Sequence, residues 1–411
     1  MSAPHAPHKS LSPLRFISVE AASGVVLLLA AAIAVAWANC PLARFYEALW
    51  RVQLGLGVAA LLPAHDLHFW VNDGLMTIFF LLVGLEIRRE MHAGALSDPK
   101  VAALPIIAAL GGIVVPALLF VLVNREPSLR RGWAIPTATD IAFAVGVLSL
   151  IGRGVPAALR LLLLTLAIID DIAAILVIAF FYSSGLAVMG LLIVAAGVLL
   201  VLALQALGVR AALAYVLPGA VVWFGMLRAG VHPTLAGVLL GLLTPASVNF
   251  GRRRGAPATA RSADSPIETL ETTLHPYVAF GIMPLFALAN AGVSLQGMDL
   301  GAAAPLAVGS GIILGLLLGK PLGIVFACLA TVRLQLGALP EGVRWRHTVL
   351  LGLLGGIGFT MSIFISNLAF EDPRLLAAAK FAVLVASCSA ATLAFVLGRL
   401  QPAPAGVSAR A

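Results

Sequence analysis

Long apolar runs, separated by short polar segments, make up most of this chain. A mainly apolar run of about 17–25 residues is long enough to cross a lipid bilayer as an α-helix. The pattern therefore predicts an all-α polytopic membrane protein. We predict twelve transmembrane helices, at about 16–38, 67–86, 101–123, 134–151, 159–182, 186–207, 211–227, 229–246, 274–296, 305–332, 348–370 and 375–398. The apolar part of the first run is longer than that of a signal peptide, so we expect it to remain as a span.

The polar segments around these runs define the predicted domain organisation. A twelve-helix domain at 16–398 lies between an N-terminal tail, 1–15, and a C-terminal tail, 399–411. Residues 247–270 are basic and rich in small residues and proline, which is typical of a flexible linker between two halves.

One connecting segment has a pattern of its own. Residues 48–58, ALWRVQLGLGV, alternate in hydrophobicity within the predicted loop 39–66, and this period predicts a β-strand. The strand could belong to an ordered surface hairpin, or it could supply an edge for dimerisation. The residues alone favour neither interpretation.

Composition narrows the class of protein. The chain is 61% hydrophobic and 11% charged, whereas a soluble domain is about 25% charged. Apart from Lys320 and Lys380, which lie within predicted spans, its 26 Lys and Arg residues are spread over many short loops and the two tails, so we expect membrane lipid and no nucleic acid as a partner. Most of them fall on the side that holds both termini, which the positive-inside rule places in the cytoplasm. The three scattered cysteines suggest neither disulfides nor a metal cluster, and we expect no cofactor.

Charged residues near span centres carry the candidate chemistry. Asp140, Asp170, Asp171 and Lys320 lie deep inside apolar runs. One carboxylate at a helix centre costs roughly 2.5–3.5 kcal/mol on insertion scales, so adjacent ones need a reason to be there. An ion pair with Lys320 would account for only one of the three aspartates. We therefore predict that at least two of them are functional.

The adjacency of Asp170 and Asp171 limits what they can do. Consecutive helical residues point about 100° apart, so one can face a water-filled path while the other faces a charged partner. Their titrations should be coupled, and the pair can hold either protons or a small hard cation. Lys320 is one of only four lysines among the 26 basic residues. A buried lysine can release its proton where an arginine cannot, which favours a titrating partner.

Glycine and proline mark the segments near these charges. Gly311, Gly315, Gly319 and Gly323 share one helix stripe that lets a neighbouring backbone approach, and Pro321 is expected to interrupt the helix. The stretches AIPTATDIAFAVG and LGLLGGIGFTMSIF read as broken spans, one before the aspartate pair and one after Lys320. Broken helices in matching positions of two halves indicate a transporter site at the membrane midplane.

Several long stretches together resemble NhaA-type bacterial sodium/proton antiporters over about residues 16–398. They are VNDGLMTIFFLLVGLEIRRE, GWAIPTATDIAFAVGVLSL, LAIIDDIAAILVIAFFY, GVHPTLAGVLLG, MPLFALANAGVSLQG, GKPLGI and GIGFTMSIFI. The resemblance implies twelve helices with inverted-topology repeats, formed by spans 3–5 and 10–12, and two interrupted helices. It also implies that the 48–58 segment is a dimer hairpin.

The resemblance also implies roles for individual residues. Asp170 and Asp171 would bind sodium and protons, with Asp171 the main cation ligand and Asp170 paired with Lys320. Thr139 and Asp140 would belong to the interrupted helix, where Asp140 offsets facing positive helix ends. The residues implied in the pH response are Glu86, Arg89, Glu90, Glu271 and His275. The family often has histidine directly after the glutamate at 271, whereas this chain has Thr272, so the pH response could be shifted.

Outside these motifs, we expect the remaining histidines to have no part in ion binding. His232 should pack and hydrogen-bond at a helix start, and His65 and His68 should be solvated.

These observations predict an electrogenic, pH-regulated secondary antiporter, and not an enzyme. It would export Na⁺, and also Li⁺, in exchange for inward H⁺, and so serve pH homeostasis and salt tolerance. A sodium-coupled solute symporter is the alternative, although the spans are poor in the polar groups that an organic solute needs. A membrane aspartyl protease would leave Lys320 and the broken helices unexplained.

Overall fold

The computed structural model describes residues 13–55, 64–152, 155–183, 185–209, 211–245, 265–295 and 301–401. Outside these residues lie most of the predicted tails 1–15 and 399–411, most of the 247–270 linker and part of the 48–58 segment. The linker is shorter than predicted, because Pro266–Leu270 already form the first turns of a helix, with proline at its first position.

The described chain is almost entirely helical. Its helices, in chain order, are α1 (Pro13–Ala38), α2 (Ala43–Trp50), α3 (Leu67–His92), α4 (Pro99–Val123), α5 (Pro127–Thr137), α6 (Ile141–Ile151), α7 (Ala157–Phe181), α8 (Val188–Ala206), α9 (Ala212–Ala229), α10 (Leu235–Leu243), α11 (Pro266–Asn290), α12 (Ala303–Arg333), α13 (Trp345–Gly355), α14 (Phe359–Ala369) and α15 (Pro373–Leu400). A short 3₁₀ turn (Ala95–Ser97) and two short strands, β1 (Gln53–Leu54) and β2 (His65–Asp66), complete the described elements.

The span count follows from the lengths of these helices. Among the described residues, eight helices are long and apolar enough to cross a membrane, and three bent helix pairs raise the number to 11. The difference from twelve lies at 229–246, where α10 has only 9 residues. Such a helix rises roughly 14 Å, about half of the hydrocarbon thickness. Gly230, in the left-handed conformation at φ 76°, ends α9 and leaves the next residues for a turn.

The glycine stripe on α12 does allow close helix packing, as predicted. A Cβ on Gly319 would lie 2.7 Å from the Cα of Pro116 on α4, and one on Gly323 would overlap the carbonyl oxygen of Gly111. The prediction of a break at Pro321 is wrong, because α12 runs continuously through it. A π-helical turn at Gly315–Gly319 widens the helix just before the proline, which relieves the clash of its ring with the preceding turn.

We expect Gly323→Ala to destabilise the protein by about 1–3 kcal/mol, because the added methyl group meets a main-chain oxygen that cannot rotate away. The midpoint of thermal unfolding in detergent measures this. Gly281→Ala is the matched control, since a Cβ there meets nothing within 4 Å. Equal midpoints for the two variants would contradict the packing described here.

The segment that follows α1 is only partly β-structure. β1 pairs antiparallel with β2, with Gln53 opposite Asp66 and Leu54 opposite His65. The strand prediction is wrong for its first residues, because 48–50 belong to α2. Trp50 follows Tyr46 by one helical turn, and their rings pack edge to face with centroids 6.1 Å apart. The buried Trp50 therefore belongs to a helical stripe and not to the alternating pattern.

Candidate ion-binding site

Two broken helices meet next to the deep charges, as the glycine and proline pattern predicts. α5 and α6 are bent by 43° at residues 138–140, and α13 and α14 are bent by 45° at residues 356–358. The breaks contact each other directly, because the backbone N–H of Asp140 donates to the carbonyl oxygen of Ile357 at 2.7 Å. The Ser362 hydroxyl adds a second link, to the carbonyl oxygen of Ile135 at 2.7 Å.

Asp140 lies between the N-termini of α6 and α14. Its Oδ1 accepts from the backbone N–H of Phe143 at 3.0 Å, and its Oδ2 accepts from the N–H of Thr360 at 3.1 Å and from the Thr360 hydroxyl. Each N-terminus carries a partial positive charge from unpaired N–H groups. One carboxylate thus offsets both ends, the arrangement expected of Asp140 at the interrupted helix.

Lys320 and Thr139 meet Asp170 on the other side of the breaks. The Lys320 Nζ lies 2.8 Å from Asp170 Oδ2 with neither side chain exposed, and it also donates to the carbonyl oxygen of Thr137 at the end of α5. The Thr139 hydroxyl lies 2.6 Å from Asp170 Oδ2 and 2.9 Å from the carbonyl oxygen of Gly355. Lys320 therefore neutralises a carboxylate and the negative end of a helix at once.

Asp171 lies on the same helix as Asp170 but is paired differently. It is 2% exposed, and among the described residues its Oδ1 has no hydrogen-bond partner; the Oδ1 of Asp170 has none either. A buried acceptor without a donor is costly, and a proton or a hard cation would satisfy it. The geometry thus provides adjacent carboxylates, of which one is held by a lysine and the other is available.

The residues implied in the pH response lie in the C-terminal part of α3 and the N-terminal half of α11. Arg89 Nη1 contacts Glu271 Oε2 at 2.7 Å, with Arg89 43% exposed and Glu271 buried. Glu90 folds back to accept from the backbone N–H of Ala95 at 2.9 Å. Glu86 and His275 are half-buried.

Thr272, the departure from the family pattern, points elsewhere. It is exposed, and its hydroxyl donates to the carbonyl oxygen of Glu268 at 2.7 Å. The Thr272 hydroxyl therefore bonds to a backbone carbonyl of α11 and not to the Glu271 side chain.

The structure also contains a second polar cluster, which the sequence did not predict. His68 Nε2 lies 3.1 Å from Asn290 Oδ1, Asn290 Nδ2 donates to Asn72 Oδ1 at 2.7 Å, and Asn367 Nδ2 donates to Asn290 Oδ1 at 2.8 Å. The prediction that His68 is solvated is wrong, because it is half-buried in this cluster. We call these four side chains the amide cluster; they join α3, α11 and α14. Its signal was three asparagines close to span ends, whose common face only the packing reveals.

His232 contacts Asp73, the residue that follows Asn72. Its Nδ1 is 3.2 Å from Asp73 Oδ1, and its ring stacks on Phe364 with centroids 5.2 Å apart. Packing and hydrogen bonding are the roles that the sequence predicts for it.

The same architecture occurs in a solved transporter. The sodium proton antiporter MjNhaP1 from Methanocaldococcus jannaschii aligns with a TM-score of 0.50 over 94% of this chain and 98% of its own, at 13% sequence identity. At this identity the likeness concerns the fold.

Other known proteins share a much higher sequence identity with this chain. "Na(+)/H(+) antiporter NhaA 2" of Sorangium cellulosum is 53% identical over 95% of this chain and 91% of its own length. "Na(+)/H(+) antiporter NhaA" of Acidovorax sp. is 55% identical over 93% of this chain and 91% of its own length. These relatives are named as transporters and not as enzymes. Residues 14–397 match the family described as Na+/H+ antiporter 1. This chain therefore belongs to the Na+/H+ antiporter 1 family.

Proposed function

We propose that this protein exports Na⁺, and also Li⁺, in electrogenic, pH-regulated exchange for inward H⁺, by alternating access at the Asp170–Asp171 site. The observation that carries the proposal is Asp171, a buried carboxylate with an unsatisfied oxygen beside the meeting point of two broken helices. Carboxylate and carbonyl oxygens are the ligands that a hard cation prefers. Asp171 is accordingly the main cation ligand.

Asp170 and Lys320 supply the competing charge. While Lys320 is protonated, its contact of 2.8 Å keeps Asp170 occupied. Loss of the lysine proton frees Asp170 to join Asp171 around a cation, and return of protons expels the cation. Sodium and protons therefore compete for one set of groups and cannot leave together.

This arrangement supports the proposal that exchange is electrogenic. The proton-loaded site holds one proton on Asp171 and another within the Asp170–Lys320 pair, whereas the sodium-loaded site holds a single cation. More positive charge therefore crosses the membrane as protons than as sodium. Asp140 stays with the two helix N-termini and sets the local potential.

We expect exchange activity to rise with pH from about pH 6 to about pH 9, because protons compete with sodium for the aspartates. The group formed by Glu86, Arg89, Glu90, Glu271 and His275 tunes this response from the cytoplasmic side. Activity at a fixed, subsaturating sodium concentration, measured across this range with a pH-sensitive dye, checks the prediction. A flat profile would contradict it.

The protein would work in the inner membrane with both termini in the cytoplasm, as the distribution of Lys and Arg indicates. The β1–β2 hairpin supports the proposal of a homodimer, since its exposed edge can pair with that of a second copy.

The decisive experiment uses everted membrane vesicles that hold a respiration-driven proton gradient. Addition of sodium, and separately of lithium, should release protons and dequench the dye. Choline chloride at equal ionic strength is the control and should give no signal. Absence of dequenching by both cations over the whole pH range would overturn the proposal.

A further inference from the structure

The start of α14 is held by side chains from other helices. The first N–H groups of any helix lack partners within it, and Gly358, which precedes α14, has no side chain to cap them. Thr360 N–H donates to Asp140, and Phe359 N–H donates to the Ser387 hydroxyl oxygen of α15 at 3.0 Å. Asp140 and Ser387 thus share the cap of one half-helix.

Ser387 differs from the other hydroxyls of α15. Ser389 donates to the carbonyl oxygen of Val385 at 2.7 Å, and Thr392 donates to that of Cys388 at 2.8 Å, so both bond to their own helix. Ser387 is 1% exposed and faces α14, among the buried alanines of α15. Small residues bring the two helices close enough for the hydroxyl to reach a backbone donor.

From this contact we propose that Ser387 is a positioning residue of the ion site, an inference that rests on the proposed function. It does not touch the aspartates; it acts through α14. A neutral hydroxyl can hold a helix N-terminus without adding a charge that would attract or repel the transported cation.

Loss of the Ser387 hydroxyl would shift the start of α14, and this shift would reach the ion site through the broken helices. Of the side chains that accept from the first N–H groups of α14, Asp140 would then remain alone, and the buried N–H of Phe359 would lack an acceptor. A shift of its first turn moves Thr360, which binds Asp140, and the preceding turn, whose Gly355 carbonyl oxygen contacts Thr139. Thr139 in turn contacts Asp170 at 2.6 Å. The effect should appear as weaker cation binding.

The test compares Ser387→Ala, Ser387→Thr and Ser389→Ala in full-length protein reconstituted into liposomes. We expect Ser387→Ala to raise the apparent KM for sodium roughly 10-fold, with the maximal rate within about twofold of wild type. Ser387→Thr keeps the hydroxyl and should restore most of the affinity. Ser389→Ala removes a hydroxyl from the same helix and should leave KM unchanged.

These readouts separate positioning from a merely structural role, which would lower the yield and the maximal rate but not the affinity. An unchanged KM in Ser387→Ala, an equal change in Ser389→Ala, or no recovery in a folded Ser387→Thr would each overturn the proposal. Asp171→Asn is assayed in parallel. Its retained exchange would refute the proposed aspartate site, whereas its inactivity together with an unchanged KM in Ser387→Ala would refute only the role of Ser387.

Discussion

Replacement of Asp171 by asparagine is expected to abolish sodium-dependent proton movement, with a loss on the order of 100-fold or more. The amide keeps the size of the side chain but removes the negative charge and the site that a proton would occupy. Asp170 remains, but its Oδ2 is shared with Lys320 and Thr139, and a single carboxylate is then left for a site that we propose uses two. Dye dequenching in everted vesicles, normalised to the amount of protein in the membrane, measures the loss.

Asp372→Asn is the matched control for this change. Asp372 is exposed at the start of α15 and accepts from the backbone N–H of Arg374 at 2.8 Å, a capping role that asparagine also fills. It should retain wild-type exchange. Full activity in Asp171→Asn would show that another residue binds the cation.

The second large effect concerns Lys320. Lys320→Ala leaves Asp170 buried without its cation, and breaking such a pair from one side costs about 3–5 kcal/mol. The carbonyl oxygen of Thr137 loses its donor as well. We expect a lower midpoint of thermal unfolding and loss of electrogenic exchange. Arg44→Ala, which removes an exposed cation, should change neither.

A double variant separates stability from charge movement. Lys320→Gln with Asp170→Asn replaces the ion pair by neutral groups of similar size, which should recover much of the stability. Any exchange that remains should be insensitive to a membrane potential imposed with potassium and valinomycin. A double variant as electrogenic as wild type would contradict the assignment of the extra charge to this pair.

The sequence predicted the components of the site better than their pairing. Four deep charges and two broken spans were evident because lipid penalises charges, and glycine and proline disrupt helices. Which aspartate meets Lys320 could not follow from the residues, because either side of α7 can face a partner until α12 is packed. The resemblance implied Asp170, and the structure places Lys320 beside it.

The features that the sequence did not predict depend on tertiary contacts. Pro321 was expected to break α12, yet a π-helical turn absorbs it, and no local pattern announces such a turn. Trp50 fitted an alternating pattern by chance while packing on Tyr46. Ser387 resembles any serine in an apolar helix, since its role depends on a backbone N–H that is 28 residues away.

The amide cluster has a consequence for the alternating access proposed above. α3, α11 and α14 are joined there by bonds among one imidazole and three carboxamides, all of which water can replace at little cost. Separation of these helices therefore breaks no ion pair within the cluster and creates no unpaired charge. If α3, α11 and α14 separate during the proposed alternating access, water molecules entering between them would replace the broken hydrogen bonds.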